Sequence, residues 1–291
     1  MDEKDWQLLK VLHHEKSAAK AANKLFWSQA ALSYRLSKME TEMNTPLFIR
    51  SSKGIRFTSA GERLISHADK MLRQYVDIRD YVNSCEGVVS GTLRLGSSAV
   101  FAHSQLPLLL KDFHEQFPAV DISLHTGLSN LILRKIQNEE IAVAIIRGHH
   151  PWNGADILLQ DEPLCVVAAT PLQLDQLPQL PYIEYDTDPT MQFQIDSWWQ
   201  QNFSVPPRVF MHADSVYTCR QLVMAGLGWS VMPSLRLAHH TQEVYIQTIY
   251  DQNNQPYCRH TRLIYPHAAR EIDAVNEFIK FVCSRLGVEP Q

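Results

Sequence analysis

The run Ser28-Gln29-Ala30-Ala31-Leu32-Ser33-Tyr34-Arg35-Leu36-Ser37-Lys38-Met39-Glu40-Thr41-Glu42-Met43-Asn44 decides the architecture of the first sixty residues. Leu32, Leu36, Met39 and Met43 step by four, three and four, so one face of a helix is apolar and must be buried. The opposite face carries Ala30, Tyr34, Ser37, Lys38 and Thr41, with Gln29 and Ser33 near its leading end. Ser28 is a natural N-cap, and Asn44 tolerates the left-handed conformation that stops a helix. Upstream, Ser17 can cap a short alanine-rich helix over 18–25, and Trp6, Leu9 and Leu12 mark an earlier helix. Two helices joined by a tight turn, the second led by short polar side chains, make a helix-turn-helix. The first turn of that second helix suits base edges: Gln pairs with adenine, Ser bonds either strand, and an Ala methyl meets thymine.

The next segment, Leu47 to Thr58, predicts two short strands around a Ser-Lys-Gly turn. This is a wing, with Arg50, Lys53 and Arg56 available to phosphates. Charge is asymmetric in the same sense. Residues 1–90 hold 14 basic against 11 acidic side chains, the remaining 201 hold 13 against 20, and the positive excess lies where an anionic partner would be met. On composition alone, a three-helix domain whose polar face merely meets water fits at least as well.

The spacing of particular residues adds more. Ser28-Gln29-Ala30-Ala31-Leu32-Ser33, then Leu36, Met39-Glu40, Leu47-Phe48, Arg50, Gly54, Thr58 and Ala60-Gly61 resemble the LysR-type transcriptional regulators across the whole N-terminal domain. Tyr34 stands where a basic residue is common, Asn44 where Gly is usual and Lys53 where Arg is frequent, which bears on base preference and not on fold. The resemblance implies a winged helix-turn-helix over 1–58 acting on double-stranded DNA. Ser28, Gln29, Ala30, Ser33, Tyr34, Ser37 and Lys38 would then face the groove, with Arg50, Lys53 and Arg56 on the backbone.

Ser59-Ala60-Gly61-Glu62 has capping-box spacing, with Thr58 an alternative cap immediately before it. Leu64, Ala68, Met71, Tyr75, Ile78 and Val82 then recur every three or four residues, a 3.5-residue period that describes a seam between paired helices. The same seam could instead pack on its own chain. The resemblance favours dimerisation, so 59–90 is expected to be a linker helix and hinge, in a homodimer or homotetramer.

From residue 91 strands and helices alternate, which predicts α/β layers with a parallel core sheet. Helices are expected around 103–116, after Ser129 as a cap, around Trp198, from Ser215 to Ala225, and over about 270–285. Ile141 to Ile146 is a continuous apolar run, as in a strand buried on both faces. Two such βα sets predict a cleft between lobes, lobe I over about 91–163 and 266–291 and lobe II over about 164–265. Strand ends and helix starts at Ser97-Ser98, Thr126-Gly127, Ser129 and Asp214-Ser215 offer hydroxyls and N–H groups suited to an anion. Arg147 follows the buried run and Arg259 precedes another strand, so both could face the cleft. Simple capping explains any one of these serines, and a surface ion pair either arginine.

Gly91-Thr92-Leu93-Arg94-Leu95-Gly96, Leu106-Pro107, Phe117-Pro118-Ala119-Val120 and Met224-Ala225-Gly226-Leu227-Gly228 also resemble the LysR-type effector domain, which has the two-lobed fold of periplasmic binding proteins. Arg147-Gly148, Ile183-Glu184, Asp188-Pro189 and Arg259 look most like its citrate-responsive branch. The expected effector is therefore a small anionic metabolite, a di- or tricarboxylate such as citrate. Ser97, Ser98, Thr126, Gly127, Arg147, Ser215 and Arg259 are its candidate contacts, and no cofactor is implied.

Other classes fare worse. With 45% hydrophobic and 20% charged residues over 291, the chain can bury two domain cores, yet no stretch approaches the ~18–20 apolar residues of a spanning helix. The acidic, polar start lacks an apolar signal core, and five scattered cysteines without a C-x-x-C pair fit reduced thiols, so a cytoplasmic protein is expected. Nucleophile elbows, H-E-x-x-H pairs and phosphate loops are missing from the sequence. The doublets His149-His150 and His239-His240 lack a third ligand at suitable spacing. Cys219 lies near a helix start that would depress its pKa, with no resolving cysteine evident. A two-lobed solute-binding component and a cytosolic α/β enzyme with a structural helical N-terminus remain the alternatives.

Overall fold

A computed structural model describes residues 1–51, 54–84, 88–234 and 244–289. The chain divides into two compact units, the first built mainly on Met1–Leu93 and the second on most of the remainder.

In the first unit, α1 (Glu3–Glu15), α2 (Ala18–Lys24) and α3 (Gln29–Glu42) surround a core of Leu8, Leu9, Leu12, Ala21, Ala22, Leu32, Leu36 and Met39. Each helix starts where a short polar side chain can accept from a free N–H. Asp2 and Asp5 form a capping box on α1, Ser17 accepts from Lys20, and Ser28 accepts from Ala31. Asn44, just past α3, has φ +47°, the left-handed residue the sequence predicts. Strands β1 (Phe48–Ser51) and β2 (Gly54–Phe57) pair antiparallel as the wing. Glu40 holds the wing to α3, its Oε1 accepting from the backbone N–H of Leu47 (2.8 Å) and Phe48 (3.0 Å). Gly54 fixes the other side. Its φ is +115°, Ile55 N–H donates to the Lys16 carbonyl, and a Cβ on Gly54 would lie 2.4 Å from that oxygen.

Helix α4 (Ser59–Ser84) is 26 residues long, about 39 Å at ~1.5 Å per residue. Thr58, the alternative cap, is the one used: its hydroxyl accepts from Gly61 N–H at 3.1 Å. Ala68 is buried, and Leu64 and Ile65 pack on the three-helix core. Met71, Tyr75 and Ile78 are exposed. The side chain of Val82, and the helix end expected at Glu86-Gly87, lie outside the described residues.

The second unit is a mixed sheet in the order β4-β3-β5-β11-β6-β9-β7-β8. Its members are β3 (Gly91–Ser98), β4 (Val120–Gly127), β5 (Val143–Arg147), β6 (Ala155–Ala168), β7 (Tyr182–Tyr185), β8 (Val209–Ala213), β9 (Trp229–Pro233) and β11 (Cys258–Tyr265), and β10 (Tyr245–Thr248) pairs with β6. The expectation of a parallel core is correct for β3–β5 and β7–β8, but β11 and β6 run antiparallel to their neighbours. Strand β6 is 14 residues long. Its first part pairs with β11 and its second with β9 and β10, so one strand joins the two lobes. Because β11 pairs with β5, Cys258–Tyr265 belongs to the first lobe's sheet and not to the 164–265 lobe expected from the sequence. The helices are α5 (Ala99–Ser104), α6 (Leu106–Gln116), α7 (Ser129–Gln137), α8 (Pro189–Asn202), α9 (Val216–Met224) and α10 (Asp273–Leu286). The single helix expected over 103–116 is two, broken at Gln105. Among the described residues no helix is long and apolar enough to cross a membrane.

Candidate nucleic-acid interface and effector cleft

Burying Leu32, Leu36 and Met39 turns the other face of α3 to solvent, where Ser28, Gln29, Ala30, Tyr34, Ser37 and Lys38 are all exposed. Ser33 is half-buried, lower on the same turn. Gln29 is the first helical residue, so its amide projects from the end that a recognition helix inserts. Arg50 and Arg56 are exposed on adjacent wing strands as register partners of Ile55 and Ile49. Lys53 lies outside the described residues.

Sequence reasoning missed what holds this face in place. Arg35 forks onto Asp2, Nη1 to Oδ1 at 2.8 Å and Nη2 to Oδ2 at 3.1 Å, and also reaches Asp5 at 2.5 Å. Its guanidinium lies 5.3 Å from the ring centre of Trp27, so one side chain ties the start of α1, the turn and α3 together. The hydrogen bond from Arg35 holds the Asp2 carboxyl down at about 2. A depressed carboxyl stabilises the fold above its unfolded value of about 4 and loses that contribution as pH falls toward 2. Acid unfolding of Asp2→Asn should therefore be less pH-dependent than wild type between about pH 4 and pH 2. Identical profiles would show that the Arg35–Asp2 pair contributes nothing.

In the second unit, register places the cleft residues on one face of the first sheet. Ser97 is opposite Ile145, Arg147 opposite Thr261, and Arg259 opposite Glu162, and side chains two apart share a face. Ser97, Arg147, Thr261, Arg259 and Glu162 thus converge, all of them buried. Arg147, expected to face the cleft, already has a partner. It is ion-paired with Glu162. Arg259 is ion-paired with Asp188, the N-cap of α8 in the other lobe, and donates to the Arg147 carbonyl at 3.1 Å. Burial pushes the Asp188 carboxyl up, but the hydrogen bond and charge of Arg259 outweigh it and hold it below the usual carboxylate range. Gly148, at φ +94°, makes room for this arginine, since a Cβ there would lie 2.7 Å from Nη1.

The remaining candidates fall into place around that group. Ser98 caps α5 and Ser215 caps α9, accepting from Phe101 and Tyr217 respectively. Ser129 does not cap α7. Leu128 occupies that position, and the Ser129 hydroxyl accepts from Arg147 N–H at 3.0 Å. Thr126 is exposed and Gly127 half-buried at the end of β4. Tyr217 crosses between lobes, its hydroxyl donating to the carbonyls of Ala99 and Val100 at 3.4 Å. His150 contacts the Arg147 carbonyl, and His239-His240 lie outside the described residues. At Cys219 burial overrides any effect of the nearby helix start. Burial pushes it up to about 11, and it donates to Ser230 and the Ile183 carbonyl.

Residues 4–62 match the bacterial regulatory helix-turn-helix protein of the lysR family, and residues 86–287 match the LysR substrate binding domain. The chain belongs to the LysR family. It is similar to the HTH-type transcriptional regulator YraN of Bacillus subtilis, 38% identical over 97% of each chain. YkuM of the same organism is 31% identical over 99% of each chain. The LysR-type fold is shared with full-length CbnR in complex with its target DNA, at TM-score 0.69, 17% identity, and 98% and 100% coverage of the two chains. The protein is accordingly a LysR-type DNA-binding transcriptional regulator. Its other relatives do not single out a citrate-responsive branch.

Proposed function

We propose that this LysR-type regulator works in the cytoplasm as a homodimer that reads a two-fold operator with α3 and is modulated by a small anionic metabolite in its cleft. Gln29, Ser33 and Tyr34 read bases, assisted by Ser28, Ala30, Ser37 and Lys38, while Arg50, Lys53 and Arg56 hold the backbone. The effector is a di- or tricarboxylate, with citrate the first to try.

One observation carries the effector reading. Thr261 Oγ1 is buried on the sheet face between Arg147 and Arg259, and among the described residues it has no hydrogen-bond partner. Buried hydroxyls are nearly always paired, so an orphan beside two guanidinium groups supports a ligand oxygen as its partner. The charges there are balanced by Glu162 and Asp188. An incoming carboxylate gains Arg259 by taking the place of Asp188, which loosens an ion pair between the lobes. That exchange gives the effector different affinities for two lobe arrangements, the condition for shifting DNA binding.

Calorimetry of the full chain with citrate and a series of dicarboxylates tests this. The expected result is saturable binding that weakens by at least about tenfold in Arg259→Ala, and by less in Thr261→Val. Absence of heat with every di- and tricarboxylate, or binding that survives Arg259→Ala, would overturn the anionic effector and leave DNA recognition untouched.

A further inference from the structure

The second lobe contains a cavity that neither the DNA-reading face nor the cleft uses. It has a volume of about 320 Å³ and lies between the C-terminal half of α8, the 204–207 loop, and strands β7 and β9. Its walls are aromatic. Trp199 stacks on Trp229, ring centres 5.7 Å apart, and also meets Phe203 at 4.2 Å, while Tyr182 leans on Trp229 at 4.6 Å. The indole N–H groups of Trp199 and Trp229 are already spent, on the Val205 and Leu180 carbonyls. These two indoles therefore offer a guest apolar surface and negative π faces, but no donor.

Among the described residues the charged lining is of one sign: Glu184 and Asp196 line the cavity and no Lys, Arg or His does, while His212, the register partner of Glu184 on β8, pairs with Asp186. Asp196 accepts from Gln192 at 2.9 Å. Glu184 is half-buried, and its carboxylate has neither ion pair nor hydrogen bond among the described residues. A separate observation points the same way. Tyr182 is 5% exposed and lines the cavity, and its hydroxyl, which makes no hydrogen bond among the described residues, is not sealed from the cavity space. Burial, reinforced by the Glu184 charge, raises its ionisation above the ordinary range, so it stays neutral as an unmatched polar group. The negative end of the α8 dipole lies at this end of the helix, since α8 closes at Asn202.

We propose that this cavity is a second ligand site, for a small organic cation with an apolar body. The ammonium sits between Glu184 and Asp196 within reach of the Tyr182 hydroxyl, and the body lies against Trp199 and Phe203. A neutral guest of the same shape leaves Glu184 unmatched, and an anion meets two carboxylates and a helix C-terminus. The site is distinct from the cleft: Asp188 caps the start of α8, and Trp199 is eleven residues further on, about 16 Å along the helix.

The test uses the full-length protein and three cations, phenethylamine, choline and cadaverine, followed by tryptophan fluorescence and calorimetry. 2-Phenylethanol and phenylacetate serve as neutral and anionic counterparts of phenethylamine. At least one cation should bind, with phenethylamine favoured over both counterparts by about tenfold or more. Glu184→Gln combined with Asp196→Asn should weaken the cation by a similar factor with an unchanged unfolding midpoint. Should that variant fail to fold, the ranking of the three phenethyl compounds on the wild-type protein decides. Equal binding of the alcohol or the acid, cation affinity unchanged in the folded double variant, or no cation binding up to about 10 mM would each overturn the proposal. Phenylacetate is also titrated into Arg259→Ala, so that a carboxylate taken up by the cleft is not counted, and the outcome stays independent of the cleft.

Discussion

A carboxylate at Met71 should convert the proposed dimer to monomers. The apolar seam of α4 divides at this residue. Upstream, Ala68 is fully buried and Leu64 packs on the helical core of its own chain. Downstream, Met71, Tyr75 and Ile78 are 41%, 47% and 65% exposed, in a row set by the 3.5-residue period. A stripe of three large apolar side chains on an extended helix is best covered by the same stripe of a second copy. In a two-fold interface Met71→Glu appears twice and faces itself, so two unpaired carboxylates lose water together. The cost is several kcal/mol, on the order of a hundredfold or more in dimer dissociation. Sedimentation of the variant should show monomers at concentrations where wild type is dimeric, and a dimer unchanged by the substitution would move the interface to another surface. The same runs on wild type show whether dimers assemble further into tetramers.

Arg147→Ala should destabilise the second unit by roughly 3–5 kcal/mol. Arg147 and Glu162 are 4% exposed each, on strands that flank β11. Truncating the arginine leaves a carboxylate buried beside Arg259, whose charge is already committed to Asp188. Removing both members, as in Arg147→Met with Glu162→Leu, should recover most of the loss, because what is costly is an unpaired buried charge and not the loss of the pair itself. Urea unfolding of Arg147→Ala and of the cycle formed by wild type, Arg147→Met, Glu162→Leu and their combination checks this. A loss below about 1 kcal/mol in Arg147→Ala would show that water reaches the pair.

What the sequence revealed depended on whether the controlling interactions were local. Helix α3 was readable from its spacing of apolar residues, its Ser28 cap and the left-handed Asn44, all within one helix length. The capping serines Ser98 and Ser215 were readable for the same reason. Arg35 was not, because it lies beside the DNA-facing residues in sequence but turns toward two aspartates thirty residues earlier. Glu162 and Thr261 were hidden inside strands of mostly apolar or mixed pattern, and only pairing across β5, β11 and β6 brings them to Arg147 and Arg259. Ser129 illustrates the converse error. Its position suggested a cap, but the chain enters α7 one residue earlier and frees the hydroxyl for the Arg147 backbone. Likewise the order of β11 in the sheet follows from a crossover that no local pattern records.

The most direct test of the central account is operator selection from the organism's own genomic DNA with wild-type protein and Gln29→Ala, followed by affinity measurements at two salt concentrations. Gln29 is exposed at the leading end of α3, and among the described residues its side chain makes no hydrogen bond that truncation would disturb. The account predicts a two-fold site for wild type and a loss of about 1–3 kcal/mol per half-site for Gln29→Ala, concentrated at one base position, with the salt dependence unchanged. The same preferred site and affinity for both proteins would contradict recognition through the start of α3.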